Sequence, residues 1–494
     1  MFSRFSRKPF EINDTFFQIV VGSCFGLILG LAFNLFSALQ VFAGMISLIS
    51  AYAILKKPEI ALLGILVLTS SVIYEDQLPR LSIGISFHIP DILLLGALGI
   101  IGVRWLVESK FKLIRTPLDW SLLFFLIAPI FSTVIAFYRG PVETEFARRA
   151  LRVFSYYLTF FLVTNLVRER YQLDFLLKGI YVLATIVAVA IVLQFILGSS
   201  VQILSGRVET LATQDTMYEG VTRVLPPGWS VVWASFIVIL SMLILEETSS
   251  LSWLRFIQVG IFGMAMIFTF LRSYWAALLM IFLLMLYLFK GKYRKKLIMV
   301  GSIAMFLAAS VLAVISMNPD SRSAKLVAAT LTRFTTIFEG DTFQGQDSSL
   351  NWRRVENGYA IPAIESNLWV GLGLGFTYRP WDPRVDRLDP SSQYYDFRRH
   401  IHNGHLWVLL QSGLLGYFSL LWLSAHFLWR GFRNWRHVPD VKLKSVVLGF
   451  SLAYLAVFVA AVTNSSFTQW RWTPLLGIMM GINEVILMQL KEEI

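Results

Sequence analysis

The sequence has a single cysteine in 494 residues, Cys24, and it stands within an apolar run. No disulfide can form within the chain, and the redox compartment is left open. Charge is scarce as well. Only 15% of residues are charged while 56% are hydrophobic, and mean hydropathy is +0.65. Soluble domains carry about 25% charged residues, so that class is excluded and a polytopic membrane protein is indicated. No repeat with a clear period, no low-complexity tract and no ATP-binding motif is found. The glycines of GLGLG (371–375) superficially match a dinucleotide loop. They lack the preceding strand and the correctly spaced helix, so they read as a turn or as close backbone packing.

What is abundant is apolar sequence of helical length. A bilayer core takes about 20 apolar residues per helix. Such runs fall near 16–34, 36–55, 59–74, 91–107, 118–138, 151–167, 173–197, 229–245, 254–271, 274–289, 297–317, 404–429, 445–463 and 473–490. The fold expected is therefore all-α and polytopic, with about 14 transmembrane helices (12–14) and a large, partly helical outer loop. The basic start, MFSRFSRKPF, leads into a long apolar segment without a small-residue cleavage site and reads as a retained first span.

Net charge is +12, which raises nucleic acid as a partner until its distribution is examined. With the basic N-terminus placed in the cytoplasm, both termini are cytoplasmic and 24 of the 43 basic residues lie inside. Thirteen of the fourteen lysines lie inside and only Lys325 outside, whereas 18 of the 19 outer basic residues are arginine. Arginine grips phosphate through a planar fork of donors and lysine does not. Outer arginine without lysine fits a diphosphate ligand; the same arginines can also pair with acids on their own loops. The loop 318–402 carries ten basic and ten acidic residues, so it has no net field for nucleic acid, and that partner is excluded.

Two long outer segments remain, about 198–228 and 318–403. The second is too rich in aromatic residues and glycine for disorder, and helices are expected near 322–337 and 351–366. Its Pro- and Asp-rich part, 379–397, reads as irregular, and Trp381, Tyr394 and Tyr395 can stack on sugar faces or fill a loop core. The shorter segment PVETEFARRALRVF (141–154) reads as a helix entering a span, with Glu145 and Arg149 placed to pair at i,i+4.

Four stretches carry chemistry. In HIHNGHLWVLL (400–410), His402 precedes a helix that Asn403 can cap, and a histidine near neutral pKa can take a proton from a hydroxyl. His402 and His405 could share a face, but no acid nearby in sequence completes a metal-ligand pattern. In TFLRSYWAALL (269–279), Arg272 sits at a tight turn against hydrocarbon, where it either serves function or snorkels to the interface. Arg353 and Arg354 open a helix that ends before Gly371. Arg223 precedes a Pro-Pro-Gly turn and the next span.

As a set, over about 200–420, these stretches resemble the O-antigen ligase and polymerase superfamily. His402-Asn403-Gly404-His405-Leu406 followed by Gly413-Leu414-Leu415-Gly416 matches that family's His-Asn-x-x-Leu and Gly-Leu-x-Gly pattern. Arg353 through Gly371 and Gly373 matches its "Arg, helix, Gly-x-Gly" pattern, although Asn357 stands where the family has tryptophan; this leaves Arg353 against Arg354 open. Leu271-Arg272-Ser273 matches without the preceding serine, and Pro226-Pro227-Gly228 replaces the family's Asn-Pro loop after Arg223. The resemblance implies transfer of glycan from undecaprenyl diphosphate to an acceptor hydroxyl, on the outer face of a bacterial inner membrane, with neither metal nor other cofactor. Partners would be the lipid-linked glycan, an acceptor glycan or lipid, and membrane lipid. His402, Arg272 and Arg353 would be catalytic; Arg223, Arg354 and Asn403 would bind substrate or shape the site. The chain would divide into N-terminal membrane helices (1–197), a ligase-like catalytic region (198–430) and C-terminal helices (431–494). A polymerase is favoured over a ligase. A transporter is the competing class, disfavoured because polar residues gather on one face and the spans are nearly charge-free at their centres.

Overall fold

The computed structural model describes residues 59–69, 81–83, 85–140, 142–198, 207–210, 222–226, 228–246, 252–316, 348–382 and 397–492, with a few isolated positions besides. The runs expected at 16–34 and, almost wholly, 36–55, the helix expected at 322–337, and Tyr394 and Tyr395 lie outside the described residues. Residues Glu59–Ile494 make one compact unit.

That unit is all-α apart from two short antiparallel hairpins. In chain order it contains α1 (Glu59–Thr69), β1 (Leu81–Ile83), β2 (Ile85–Phe87), α2 (Ile89–Val107), α3 (Asp119–Arg139), α4 (Thr144–Ser155), α5 (Thr159–Leu166) and α6 (Arg170–Leu197). There follow β3 (Arg207–Thr210), β4 (Thr222–Leu225), α7 (Trp229–Leu245), α8 (Ser252–Phe268), α9 (Arg272–Leu288), α10 (Gly291–Ser316), α11 (Ser348–Glu365), α12 (Gly404–Asn434), α13 (Val441–Ala460) and α14 (Thr473–Glu492). β1 pairs with β2 and β3 with β4, Arg207 facing Leu225 and Glu209 facing Arg223 in the second hairpin.

Five of these helices, α2, α3, α6, α12 and α13, are long and apolar enough to cross a membrane. Five shorter ones, α1, α7, α8, α9 and α14, are also apolar. The chain is thus a multi-pass membrane protein. The expected figure of about fourteen spans exceeds what the described residues show.

The run expected as one span at 151–167 is broken. α4 stops at Ser155, a 3₁₀ turn covers Tyr156–Leu158, and α5 begins at Thr159. Ser155 and Thr159 hydroxyls bond back to the carbonyls of Arg152 and Tyr156, a habit that bends helices. α4 also has a reason to stay out of line. Arg152 donates to Asp91 at the start of α2 (2.7 Å), and Tyr156 donates to the same carboxylate (2.6 Å).

Packing is tightest around α7, every residue of which is buried. α13 lies against it closely enough that a Cβ on Gly449 would stand 2.6 Å from Val238 Cα. Gly477 and Gly481, one turn apart on α14, let that helix approach α5; a Cβ on Gly481 would meet Val163 at 2.7 Å. Small residues at such crossings are how membrane helices gain contact where lipid supplies no hydrophobic drive. Leu95, Leu106, Phe124 and Phe131, on α2 and α3, are exposed as a lipid-facing surface requires.

α12 is broken at Gly413, whose φ of 60° and ψ of −161° leave the helical region. A break inside an apolar helix strands backbone groups that must find partners within the protein. The stretch after α11 supplies them. Leu372 and Gly373 N–H donate to the carbonyls of Leu410 and Gln411 (2.8 and 3.0 Å), and Leu414 and Leu415 N–H donate to Leu368 and Trp369 carbonyls (2.8 and 3.3 Å). Side chains would prevent this: a Cβ on Gly371 would stand 2.6 Å from Gly413 N, and one on Gly413 would stand 2.4 Å from Trp369 C. The glycine-rich 371–375 is close backbone packing, as expected, and its partner is the second glycine motif at 413.

Candidate active site

One end of the helix bundle gathers the site. α12 begins there at Gly404, with Asn403 as its N-cap; the Asn403 side chain accepts from the N–H groups of His405 and Leu406 (3.0 and 3.1 Å). That cap fixes the chain entering the helix, and with it His402, the residue just outside. Asn403 has a structural task that the sequence foresaw.

His402 meets Glu356 of α11. Its backbone N–H donates to Glu356 Oε2 (2.9 Å), and its Nδ1 lies 3.0 and 3.1 Å from the two carboxylate oxygens. Trp352, one turn earlier on α11, donates its indole N–H to Glu356 Oε1 (2.8 Å). Glu356 is fully buried, while the His402 side chain keeps about a third of its surface (34%). Burial pushes the Glu356 carboxyl up, but the hydrogen bonds it accepts from His402 outweigh it and hold the group below its ordinary range. An ionised carboxylate only accepts hydrogen bonds, so His402 Nδ1 carries a proton. Glu356 was one of ten acids of the long loop and was not singled out from sequence. The available signal was its place three residues after Arg353 on a helix.

The short connection between α13 and α14, residues 461–472, ties the rest together. Gly404 N–H donates to Ala461 O (2.7 Å), and a Cβ on Gly404 would stand 2.8 Å from Asn464 O. Arg353 Nε donates to Thr463 O (3.2 Å). Asn464 donates to Ser273 Oγ (2.6 Å), and Ser466 shares a hydrogen bond with Tyr274 (2.8 Å), so the first turn of α9, which Arg272 opens, is held to the same connection. Thr463, Asn464 and Ser466, in the stretch TNSSFTQWRW (463–472), were not singled out from sequence.

Arg272 follows the tight turn expected for it. Between α8 and α9, Phe270 takes a left-handed φ of 51°, a conformation that costs a non-glycine residue and tends to persist at functional sites. Arg223 of β4 donates from Nε to Thr269 O in that turn (3.1 Å). The hairpin β3–β4 therefore braces the turn that presents Arg272. Of the two adjacent arginines on α11, Arg353 is half-buried beside Thr463 and Arg354 is exposed.

His405 is turned to packing rather than to His402. Its Nε2 bonds the Phe458 carbonyl (2.9 Å), and its Nδ1 faces the Tyr417 hydroxyl (3.4 Å). Glu145 pairs with Arg149 at 2.9 Å, as expected, and with Arg148 at 2.6 Å. Arg399 stacks over Phe146 and pairs with Glu143, which holds the end of the long loop against α4.

A histidine backed by a buried carboxylate stands at one end of an apolar bundle, with the segments that carry Arg353 and Arg272 tied to the same connection, an arrangement suited to moving a proton beside an anion. Comparison agrees and is more specific. Residues 257–421 match the family model described as O-antigen ligase, so this stretch is an O-antigen ligase family domain. It contains Arg272, Arg353, Glu356 and His402. The likeness of this stretch is to membrane glycan transferases of O-antigen ligase or polymerase type. No curated protein matches the chain.

Proposed function

We propose that the protein transfers glycan from undecaprenyl diphosphate to a sugar hydroxyl on the outer face of a bacterial inner membrane, repeatedly, as a polymerase. One observation carries the reading: the 461–466 connection binds together the segments bearing His402, Arg353 and Arg272. The lysine-bearing segments support the orientation, because their contacts lie at the opposite end. There Arg168 reaches the Lys112 carbonyl and Lys296 reaches the Glu246 carbonyl.

In this mechanism His402 Nε2 takes the proton of the acceptor hydroxyl. The oxygen attacks the anomeric carbon in line, the new C–O bond forms, and the C–O bond to the diphosphate breaks. The electron pair leaves on the diphosphate oxygen, and Arg272 and Arg353 stabilise the charge that grows there. Arg272 also opens α9, whose N-terminal dipole favours the same anion. Glu356 stabilises the imidazolium formed and keeps Nε2 aimed at the acceptor. Arg223 acts by holding the Arg272 turn. Asn403 sets the start of α12, and Arg354 reaches glycan outside the buried site. The lipid diphosphate supplies the energy.

The test is transfer by purified protein in detergent, given its lipid-diphosphate glycan with EDTA present, wild type against His402→Ala. A product ladder lost in the variant supports the polymerase. A single-step product that requires added acceptor makes the protein a ligase. No transfer by folded wild type on a verified substrate returns the transporter.

A further inference from the structure

The connection between α13 and α14 holds a polar side chain with an atom that the proposed chemistry does not use. Asn464 is half-buried. Its Nδ2 donates to Ser273 Oγ (2.6 Å), Thr463 Oγ1 (3.2 Å) and Ala460 O (3.3 Å). The Ala460 carbonyl can only accept, and the Thr463 hydroxyl gives its own proton to that carbonyl (3.3 Å). Both therefore require the nitrogen of the Asn464 amide on their side. Oδ1 is turned the other way, with its direction fixed, and it accepts from no described residue. An amide oxygen has lone pairs and no proton. It takes a hydroxyl or an N–H and repels the oxygens of an ionised diphosphate.

Position narrows the choice of donor. On one side Asn464 holds Ser273, the residue after Arg272, where the leaving diphosphate is placed. On the other its backbone adjoins the start of α12: a Cβ on Gly404, two residues after His402, would stand 2.8 Å from Asn464 O. Arg353 is bonded to Thr463, the residue before it (3.2 Å). In the proposed reaction the anomeric carbon under attack lies between the base and the diphosphate. A group that adjoins the segments carrying both is placed beside the sugar being transferred. Asn464 also lies beyond residues 257–421, the stretch that matches the O-antigen ligase model.

We propose that Asn464 is a further substrate-binding residue, whose Oδ1 accepts a hydrogen bond from a hydroxyl of the donor sugar that bears the reacting anomeric carbon. This rests on the reading of His402 as base and of Arg272 as a diphosphate ligand. It gives the C-terminal helices a direct part in the site. It also makes the sugar, and not only the lipid diphosphate, a source of donor affinity.

The test compares binding of two lipids to purified protein in detergent, the lipid-linked glycan and undecaprenyl diphosphate without sugar. Every protein carries His402→Ala, so that nothing turns over. Asn464→Leu is close in size and has no hydrogen-bonding atoms in its side chain. It should weaken the glycan-bearing lipid about three- to tenfold more than the sugarless one. The same substitution breaks the tie to α9, and Ser273→Ala, which breaks that tie and keeps Oδ1, should weaken both lipids alike. An unchanged ratio of the two affinities in Asn464→Leu, eluting as folded protein, would overturn the contact, whether both lipids weaken equally because Asn464 only holds the Arg272 turn or neither weakens because water satisfies Oδ1. Should Asn464→Leu fail to fold, Asn464→Ala removes the amide without adding bulk and is read by the same ratio. The base is tested separately: full transfer by His402→Ala would remove the reading beneath the proposal. Loss of transfer in that variant with an unchanged ratio in the Asn464 variants would remove the Asn464 contact alone.

Discussion

Among the described residues, two glutamates are completely buried and both face a basic partner. Glu484 of α14 is gripped by Arg430 of α12 through two parallel bonds of 2.7 and 2.8 Å. Glu356 of α11 faces His402 and accepts from a backbone N–H and an indole as well. The first partner is a guanidinium that never loses its proton and whose fork fits a carboxylate. The second is an imidazole, a ring that can both give and take a proton. Burial is equal, so the difference lies in the partner. A fixed charge pair serves to join two helices. In the proposed mechanism, a buried carboxylate set behind a partly exposed ring holds one nitrogen protonated and leaves the other to work. Position agrees, since Arg430 lies near the end of α12 opposite to His402.

The contrast predicts opposite consequences. His402→Ala should lower transfer about 10²- to 10⁴-fold, the usual worth of a general base, while the thermal midpoint in detergent stays near wild type. A variant that retained transfer would erase the distinction. Glu484→Gln should do the reverse. Leaving Arg430 buried against a neutral partner should destabilise the protein by about 3–5 kcal/mol, read as a lowered midpoint of thermal unfolding, with transfer per folded molecule unchanged. Replacing both partners, Arg430→Met with Glu484→Leu, should recover most of that loss.

Acid tests the Glu356 pair in another way. The Glu356 carboxyl is held below its ordinary value of 4.5. A depressed carboxyl contributes stability that is fully present above that ordinary value and is lost as pH falls through its lower value in the folded protein. The midpoint difference between wild type and Glu356→Gln should therefore be constant from neutral pH down to about 5 and shrink below it. A difference that grew with acidity would reverse the assigned direction. At neutral pH the same variant should transfer more slowly than wild type and faster than His402→Ala if, as proposed, Glu356 positions the base without touching substrate.

How far such a site can be read from sequence follows from how each contact is made. Helices came through well, since lipid imposes a length and an apolar composition that are written residue by residue. α7 falls at 229–245 as expected, and α3 and α6 shift only slightly at their ends. The cap at Asn403 and the i,i+4 pair of Glu145 and Arg149 were legible because both are local. Breaks were not. The kink at Gly413 depends on carbonyls and N–H groups of residues 368–373, some 40 positions away, and a glycine in an apolar run gives no notice of that. Glu356 was hidden for the same reason: it is 46 residues from His402, among as many basic residues as acidic ones. The 461–466 connection was the least visible. Its contribution is largely through backbone carbonyls of Ala461 and Thr463, and a carbonyl looks alike in every residue.

The smallest expected effect probes how firmly Glu356 must be held. Trp352 contributes one hydrogen bond to Oε1, and its ring stands edge-on to His402 with centroids 6.2 Å apart. Trp352→Phe keeps most of that ring and removes the N–H. A hydrogen bond to a charged group is worth about 1.5–3 kcal/mol, but the carboxylate retains both contacts with His402, so only part of that should appear as lost stability. If the carboxylate works by orientation, transfer should fall several-fold, with no change in how tightly the lipid-linked donor binds. If its charge alone matters, the rate should be unmoved, because Trp352→Phe alters no charge. The same substitution should leave the Arg430–Glu484 end untouched, so hydrogen exchange slowed as in wild type across α14 would show that the two buried carboxylates act as independent units.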